Sequence, residues 1–251
     1  MTKNIGIIFA GGIGSRMGNQ PIPKQFLMVL EKPVIIHTLE YFEKHSEIDD
    51  IYISCIESWI DHLKELLIKY NITKVRRVVP GGSTGQGSIY NALVAAREDN
   101  DGDSIVLIHD GVRPFITKKL ISELIECTKK NGNAITCTPC NETIMISSDR
   151  ETVGQVPFRK ETFAAQAPQT FRLDEIIDAH NKMIVLRPTY DQIVDSCTMF
   201  RVLDKKVHMV FGNRGNIKIT EPEDLYLLKG LFEYRTNETL MGVSYLETGE
   251  K

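Results

Sequence analysis

The sequence has no long apolar run, no large excess of one charge, no second C-x-x-C and no low-complexity tract. Each absence excludes a class of protein. A membrane-spanning helix needs about 20 consecutive apolar residues, so none is expected. The opening MTKNIGIIFAGG has one lysine and breaks into glycines too early for a secretory leader. A formal net charge of -3 argues against bulk electrostatic binding to nucleic acid or an anionic membrane, and neither is an expected partner. The five cysteines, Cys55, Cys127, Cys137, Cys140 and Cys197, are odd in number and scattered. They read as reduced thiols of a cytoplasmic protein. Cys137 and Cys140 make a lone C-x-x-C around Thr-Pro, which reads as strand residues before zinc or redox chemistry.

What remains is enough to build one large α/β domain or a domain with an extension: 251 residues, 42% of them hydrophobic. Short β-prone runs at Ile5–Ala10, Ile51–Ile56, Val75–Pro80, Ser104–His109 and Asn133–Thr138 alternate with helical patterns. The helices are expected at Pro33–His45, Ser58–Tyr70, Ser88–Glu98 and Thr117–Lys130. In the second, Trp59, Ile60, Leu63, Leu66 and Leu67 fall at three- and four-residue spacing, one face of a helix. Such alternation predicts a mainly parallel sheet with helices on both faces.

After Thr138 the rhythm changes. Two short β-prone runs flank Ser148-Asp149-Arg150, which predicts a hairpin arm projecting from the sheet. The chain returns through FAAQAPQTF and a helix from Leu173 to about Met183. A helical stretch near Asp191–Phe200 and a strand at Lys206–Phe211 follow. A last helix opens at Glu221-Pro222-Glu223-Asp224, with proline in its first turn and acids beside it. The expected organisation is a single domain over 1–238, with 139–163 as the arm and 239–251 as a tail.

Chemistry concentrates where strands end. The loop AGGIGSRMGNQPIPKQF misses the dinucleotide fingerprint because Gly18 falls one position late, and it misses the ATPase loop because no lysine follows Gly18. Its physical content survives: Gly11, Gly12 and Gly14 let backbone N–H groups approach an anion closely. Arg16 and Lys24 add two cations, which suits a triphosphate from which pyrophosphate departs with growing charge. Otherwise the loop is a tight turn with two surface cations. IHDGVRPF places Asp110 at a strand exit, where ligands of open α/β sheets bind. Asp110 can hold Mg²⁺ or cap the following turn. Arg113 can grip a phosphate or pair with Asp110, and His109 reads as a packed core histidine. PGGSTGQGS brings Gly81 and Gly82 to the same edge, with Ser88 capping a helix or touching ligand.

In order, AGGIGSRMG…PKQF, GG…S, HDGVRP, QAPQTF and NIKITEPEDL resemble the polyol-phosphate cytidylyltransferases. That family includes the 2-C-methyl-D-erythritol 4-phosphate and ribitol-5-phosphate branches. The resemblance runs from residue 4 to about 232. It implies a Rossmann-like fold, CTP as nucleotide, Mg²⁺, release of pyrophosphate and a homodimer joined through the arm. It assigns Arg16, Lys24 and Lys218 as catalytic cations around the triphosphate. Ala10, Gly11, Gly12, Gly14, Gly81, Gly82, Ser88, Asp110 and Arg113 fall to the nucleotide, with Asp110 on the metal. Thr143, Arg159 and Asp195 fall to the polyol phosphate, the first two reaching it across the dimer.

Gly111-Val112, Met145, VPFRKETFAAQAPQTF and VDSCTMF are closer to the ribitol branch, so D-ribitol 5-phosphate is the expected acceptor. The erythritol substrate or another sugar phosphate is the alternative. Gly85 stands where both branches usually carry arginine, and Ala167 and Val194 where threonine is common. Three other readings stay open: a sugar-1-phosphate nucleotidyltransferase, a dinucleotide-dependent reductase, and a non-catalytic nucleotide-binding protein.

Overall fold

A computed structural model of the chain describes residues 2–12, 21–186 and 193–236. Arg16 and Gly14, the expected tail, and most of the stretch between Leu186 and Asp195 therefore lie outside the described residues. Strands β1 (Asn4–Ala10), β4 (Asp50–Cys55), β5 (Val75–Pro80) and β6 (Ile105–Asp110) run parallel. Between β1 and β4 lie a two-stranded ribbon, β2 (Met28–Val29) and β3 (Lys32–Pro33), and helix α1 (Val34–Glu43). Helices α2 (Ile60–Lys69) and α3 (Gly85–Asp99) make the next two crossovers. Then come α4 (Lys118–Asn131), β7 (Asn133–Pro139), β8 (Phe163–Arg172) and α5 (Leu173–Leu186). The described chain closes with α6 (Ser196–Val202), β9 (Met209–Phe211) and α7 (Pro222–Thr236).

The seven-stranded sheet has the order β5-β4-β1-β6-β8-β7-β9. The mainly parallel expectation holds, with one interruption: β8 is antiparallel to both β6 and β7. From β1 the chain builds outward through β4 and β5, then jumps back to place β6 on the other side of β1. That reversal opens a crevice beyond the carboxyl ends of β1 and β6, the usual ligand position in such sheets.

Successive strand side chains point to opposite faces, and the β1 isoleucines divide accordingly. Ile8 joins Leu39, Phe42, Leu63 and Ile121 beneath α1, α2 and α4. Ile5 and Ile7 join Leu93, Ile176 and Phe200 beneath α3, α5 and α6. Each such side chain contributes about 1.5–3 kcal/mol on burial. A smaller cluster of Val29, Val112, Phe115, Ile219, Leu228 and Phe232 seats α7 over the exit of β6.

Several boundaries differ from expectation for local reasons. Helix α3 begins at Gly85 rather than Ser88, because the Thr84 side chain accepts from the Gly87 N–H and caps it three residues earlier. Helix α6 starts at Ser196, where Asp195 accepts from the Thr198 N–H at 2.8 Å. Strand β9 is only Met209–Phe211, since its pairing with β7 covers just those residues. The arm is rooted in the β7–β8 pair, where Pro139 lies opposite Phe163. Beyond that root its hairpin is reduced to one antiparallel bridge, Ile146 with Gln155. Its turn is tied by Asp149, which accepts from the Glu151 and Thr152 N–H groups. Among the described residues no helix is long and apolar enough to cross a membrane.

Candidate active site

The crevice holds a cavity of about 530 Å³ lined by Ala10, Gly11, Gly12, Lys24, Gly82, Gly85, Ser88, Asp110 and Lys218, among others. Three strand ends supply it. The two glycine loops meet backbone to backbone: a Cβ added at Gly81 would lie 3.0 Å from Gly11 Cα. At Gly82 it would lie 2.6 Å from the Gly87 carbonyl carbon, so neither position leaves room for a side chain. Ser88 neither begins nor caps its helix. Its Oγ donates to the Thr84 carbonyl at 2.9 Å and accepts from the Gly82 N–H at 3.0 Å, which fixes the second loop beside the cavity.

Asp110 forms the charged centre. Arg113 Nε donates to its Oδ2 at 2.8 Å, and Lys218 Nζ stands 2.5 Å from Oδ1. Burial alone would raise the carboxyl pKa, but the Lys218 ammonium and Arg113 guanidinium reverse that and hold it at about 2. Asp110 is therefore an anion throughout the physiological range. Arg113 pairs with Asp110 and also lines a second cavity of about 100 Å³. Backbone contacts locate the partners: Arg113 Nη1 donates to the Asn216 carbonyl at 2.7 Å, and the Ile219 N–H donates to the Val112 carbonyl at 2.9 Å. Lys218, between them, is thus delivered to the exit of β6. Its ammonium also sits 5.7 Å from the centre of the Phe9 ring.

His109 is fully buried, and burial lowers its pKa to about 4. Its Nε2–H donates to the Arg113 carbonyl at 3.0 Å, and its ring packs near Phe42. It is a core histidine that steadies the Asp110–Arg113 turn.

The smaller cavity adjoins the larger, sharing Phe9, Asp110 and Lys218 with it, and carries Ala167, Gln169, Val194 and Asp195 on its walls. Of the expected acceptor residues, Asp195 lines the smaller of these two cavities. Thr143 and Arg159 meet each other on the exposed arm, where Arg159 Nη2 donates to Thr143 Oγ1 at 3.0 Å. Neither lines either cavity.

The structure adds residues that the sequence did not single out. Gln25, buried, donates from Nε2 to the Ala10 carbonyl at 2.7 Å. Thr220 lines the large cavity, held by Asp224, whose Oδ2 accepts from the Thr220 and Glu221 N–H groups. Asn216 donates from Nδ2 to the Ala167 carbonyl at 2.6 Å and ties the lysine-bearing segment to β8. The motifs PKQF and NIKITEPEDL contain these residues, but only the fold brings their partners together.

Two adjoining cavities thus share one carboxylate and one lysine, which gives room for two ligands to meet at those charges. The profile of the family described as IspD, 2-C-methyl-D-erythritol 4-phosphate cytidylyltransferase, matches residues 5–233. The chain belongs to that family. It is an enzyme of the nucleotidyltransferase class. It is 43% identical over 239 residues to a ribitol-5-phosphate cytidylyltransferase of Vibrio parahaemolyticus, an alignment covering 95% of this chain and 100% of that one. It is 38% identical over 236 residues to a 2-C-methyl-D-erythritol 4-phosphate cytidylyltransferase of Clostridium botulinum, covering 94% and 100% of the two. The crystal structure of 4-diphosphocytidyl-2C-methyl-D-erythritol synthase from Anaerococcus prevotii superposes with a TM-score of 0.79 at 30% identity, over 92% of this chain and 96% of that one.

Proposed function

We propose that this family member transfers CMP from CTP to D-ribitol 5-phosphate, giving CDP-ribitol and pyrophosphate. One observation supports the reading: the cavity between two glycine loops shares Asp110 and Lys218 with a smaller cavity beside it. CTP suits the first and the polyol phosphate the second, with the reacting phosphates meeting at the shared residues. The choice of ribitol over methylerythritol is supported by the names of relatives at 43% and 38% identity, and by Gly111-Val112 and Met145.

The chemistry follows from charge. An acceptor phosphate monoester has its second pKa at about 6, so its oxygen is already anionic at neutral pH. That oxygen forms the new bond to the α-phosphorus of CTP. The α–β bridging P–O bond breaks, and its electron pair leaves on pyrophosphate. No general base is needed. Catalysis rests on alignment and on neutralising the leaving charge. Lys24 and Lys218, which line the larger cavity, are our candidates for that task, with Arg16 assigned to it by the family resemblance.

Mg²⁺ fits the donor set as a metal held by one protein carboxylate together with phosphate oxygens. Asp110 Oδ1 is buried and paired with Lys218 Nζ at 2.5 Å, so the metal would share this carboxylate with the lysine. Among the described residues no group of three or more His, Cys, Asp or Glu side chains forms an all-protein cage. Asp110 would hold the ion, which would supply charge neutralisation on the phosphates.

The arm supports a homodimer. Met145, Val156 and Phe158 are exposed apolar residues on a segment with one bridge of its own, a surface that a second copy can cover. A partner's arm would then carry Thr143 and Arg159 toward the acceptor. Soluble nucleotide and polyol phosphate substrates suit a cytoplasmic enzyme.

The test is product analysis with CTP, UTP, ATP or GTP, each with Mg²⁺ and ribitol 5-phosphate. Pyrophosphate and CDP-ribitol should form with CTP and disappear when metal or acceptor is omitted. Pyrophosphate release with UTP alone among the nucleotides would move the enzyme to another sugar-nucleotide class.

A further inference from the structure

The geometry points to Gln25 as a positioning residue, one that holds the Ala10–Gly12 backbone and Lys24 in a fixed relation for the reaction. The inference rests on the reading of the large cavity as the nucleotide site. Gln25 occupies the middle of a single helical turn, Lys24–Phe26, and is 1% exposed. Its Nε2 faces two carbonyls, Ala10 at 2.7 Å and Gly12 at 3.4 Å, so the amide must present nitrogen to the loop. A carboxamide is suited to this: one neutral nitrogen carries two N–H donors, which a carboxylate of the same shape lacks.

Two consequences follow. In a trans peptide the C=O and the next N–H point opposite ways. Turning the Ala10 carbonyl toward Gln25 therefore turns the Gly11 N–H away from it and sets the orientation of the loop backbone at the end of β1. The same turn is held from its other side, where Phe26 stacks on Trp59 with ring centres 4.7 Å apart and planes 19° from parallel. The Phe26 N–H also donates to the Pro23 carbonyl at 2.9 Å. Lys24, adjacent to Gln25 and on the cavity wall, is thus tied through one residue to the loop and through the next to the sheet-covering helix layer. Small displacements of a reacting or charge-neutralising group cost up to about 100-fold in rate.

Gln25→Met keeps the volume and removes the donors, and Gln25→Glu replaces donors with acceptors facing carbonyl oxygens. Both are to be assayed as full-length protein with CTP, Mg²⁺ and ribitol 5-phosphate, beside the parent enzyme, whose turnover independently tests the underlying reading. The expected result is a kcat lowered about 10- to 100-fold, with Kd for CTP changed far less and Glu worse than Met. The single tryptophan supplies a control that packing alone would move. Trp59 emission and the thermal midpoint of Gln25→Met should stay close to the parent's. Parent-like kcat in either variant overturns the inference. So does a loss confined to CTP affinity, which would make Gln25 a ligand contact, and so does a lowered midpoint with kcat per folded molecule unchanged.

Discussion

The nucleotide crevice and the arm are built on opposite principles. In the crevice polar groups are held by side chains from other segments: Asp110 by Lys218, Gly82 by Ser88, Thr220 by Asp224. Its position comes from parallel strands buried on both faces. The arm leaves the sheet after Pro139, makes a single bridge, and turns Val156 and Phe158 to solvent. Its one contact between expected site residues, Arg159 to Thr143, lies wholly within the arm. The difference separates a crevice tied together by contacts between distant segments from an arm tied mainly to itself. Of Thr143, Arg159 and Asp195, only Asp195 lines the smaller cavity beside the crevice. Under the proposed function, the shared chemistry resides in the crevice and acceptor choice can vary in the arm.

That contrast can be broken by substitution. The largest effect is expected in the crevice. Lys24→Ala, if Lys24 acts like one oxyanion donor, should lower kcat about 100- to 1000-fold, or ~2.7–4 kcal/mol, in a pyrophosphate-release assay. Near-parental turnover would remove Lys24 from the reaction.

Next is the ion cluster. Asp110 has its pKa held at about 2, below the value of about 3.9 expected for an unfolded aspartate. A depressed carboxyl contributes stability that is present above the unfolded value and is lost as pH falls through the folded one. Urea unfolding should therefore show roughly 2–3 kcal/mol lost between about pH 5 and pH 2 in the parent that Asp110→Asn does not lose. Identical acid profiles would show that the buried pair is not linked to folding.

Arg159→Ala tests the arm. It should raise KM for the polyol phosphate about 10- to 150-fold, as expected for one lost hydrogen bond to a charged group at ~1.5–3 kcal/mol, and leave CTP affinity unchanged. An equal loss for both substrates would erase the division between the two regions.

The smallest effect is at Gly85, where an added Cβ meets nothing within 4 Å. Gly85→Ala, in the first turn of α3, should stabilise the protein by about 0.5–1 kcal/mol in thermal or urea unfolding and leave CTP turnover intact. A destabilised or inactive variant would mean that the open space beside the nucleotide cavity is occupied in the working enzyme.

The same division governs what could be read from the sequence. The alternation from Ile5 to Asn133 gave the parallel core because burial on both faces leaves a strong local pattern. The insertion of β8 between β6 and β7 was not legible, since QAPQTF specifies a strand but not its neighbours. Asp110 was legible as a residue at a strand exit, and Lys218 as part of a familiar motif. Their ion pair, between residues 110 and 218, and the clasp of Asn216 on Ala167 of β8 depend on long-range returns of the chain that no local spacing records. Gln25 stood in a quoted motif beside Lys24 without a role, because its partners are backbone carbonyls and leave no side-chain signature. The hairpin of the arm was expected as paired strands and is one bridge, because its apolar residues Met145, Ile146, Val153 and Val156 are exposed rather than packed on the core.

The most direct measurement of the proposed function is kcat/KM with CTP and Mg²⁺ for ribitol 5-phosphate and for methylerythritol 4-phosphate, taken side by side by pyrophosphate release. Faster turnover of ribitol 5-phosphate is the predicted result. Faster turnover of methylerythritol 4-phosphate, or release with neither, would contradict it.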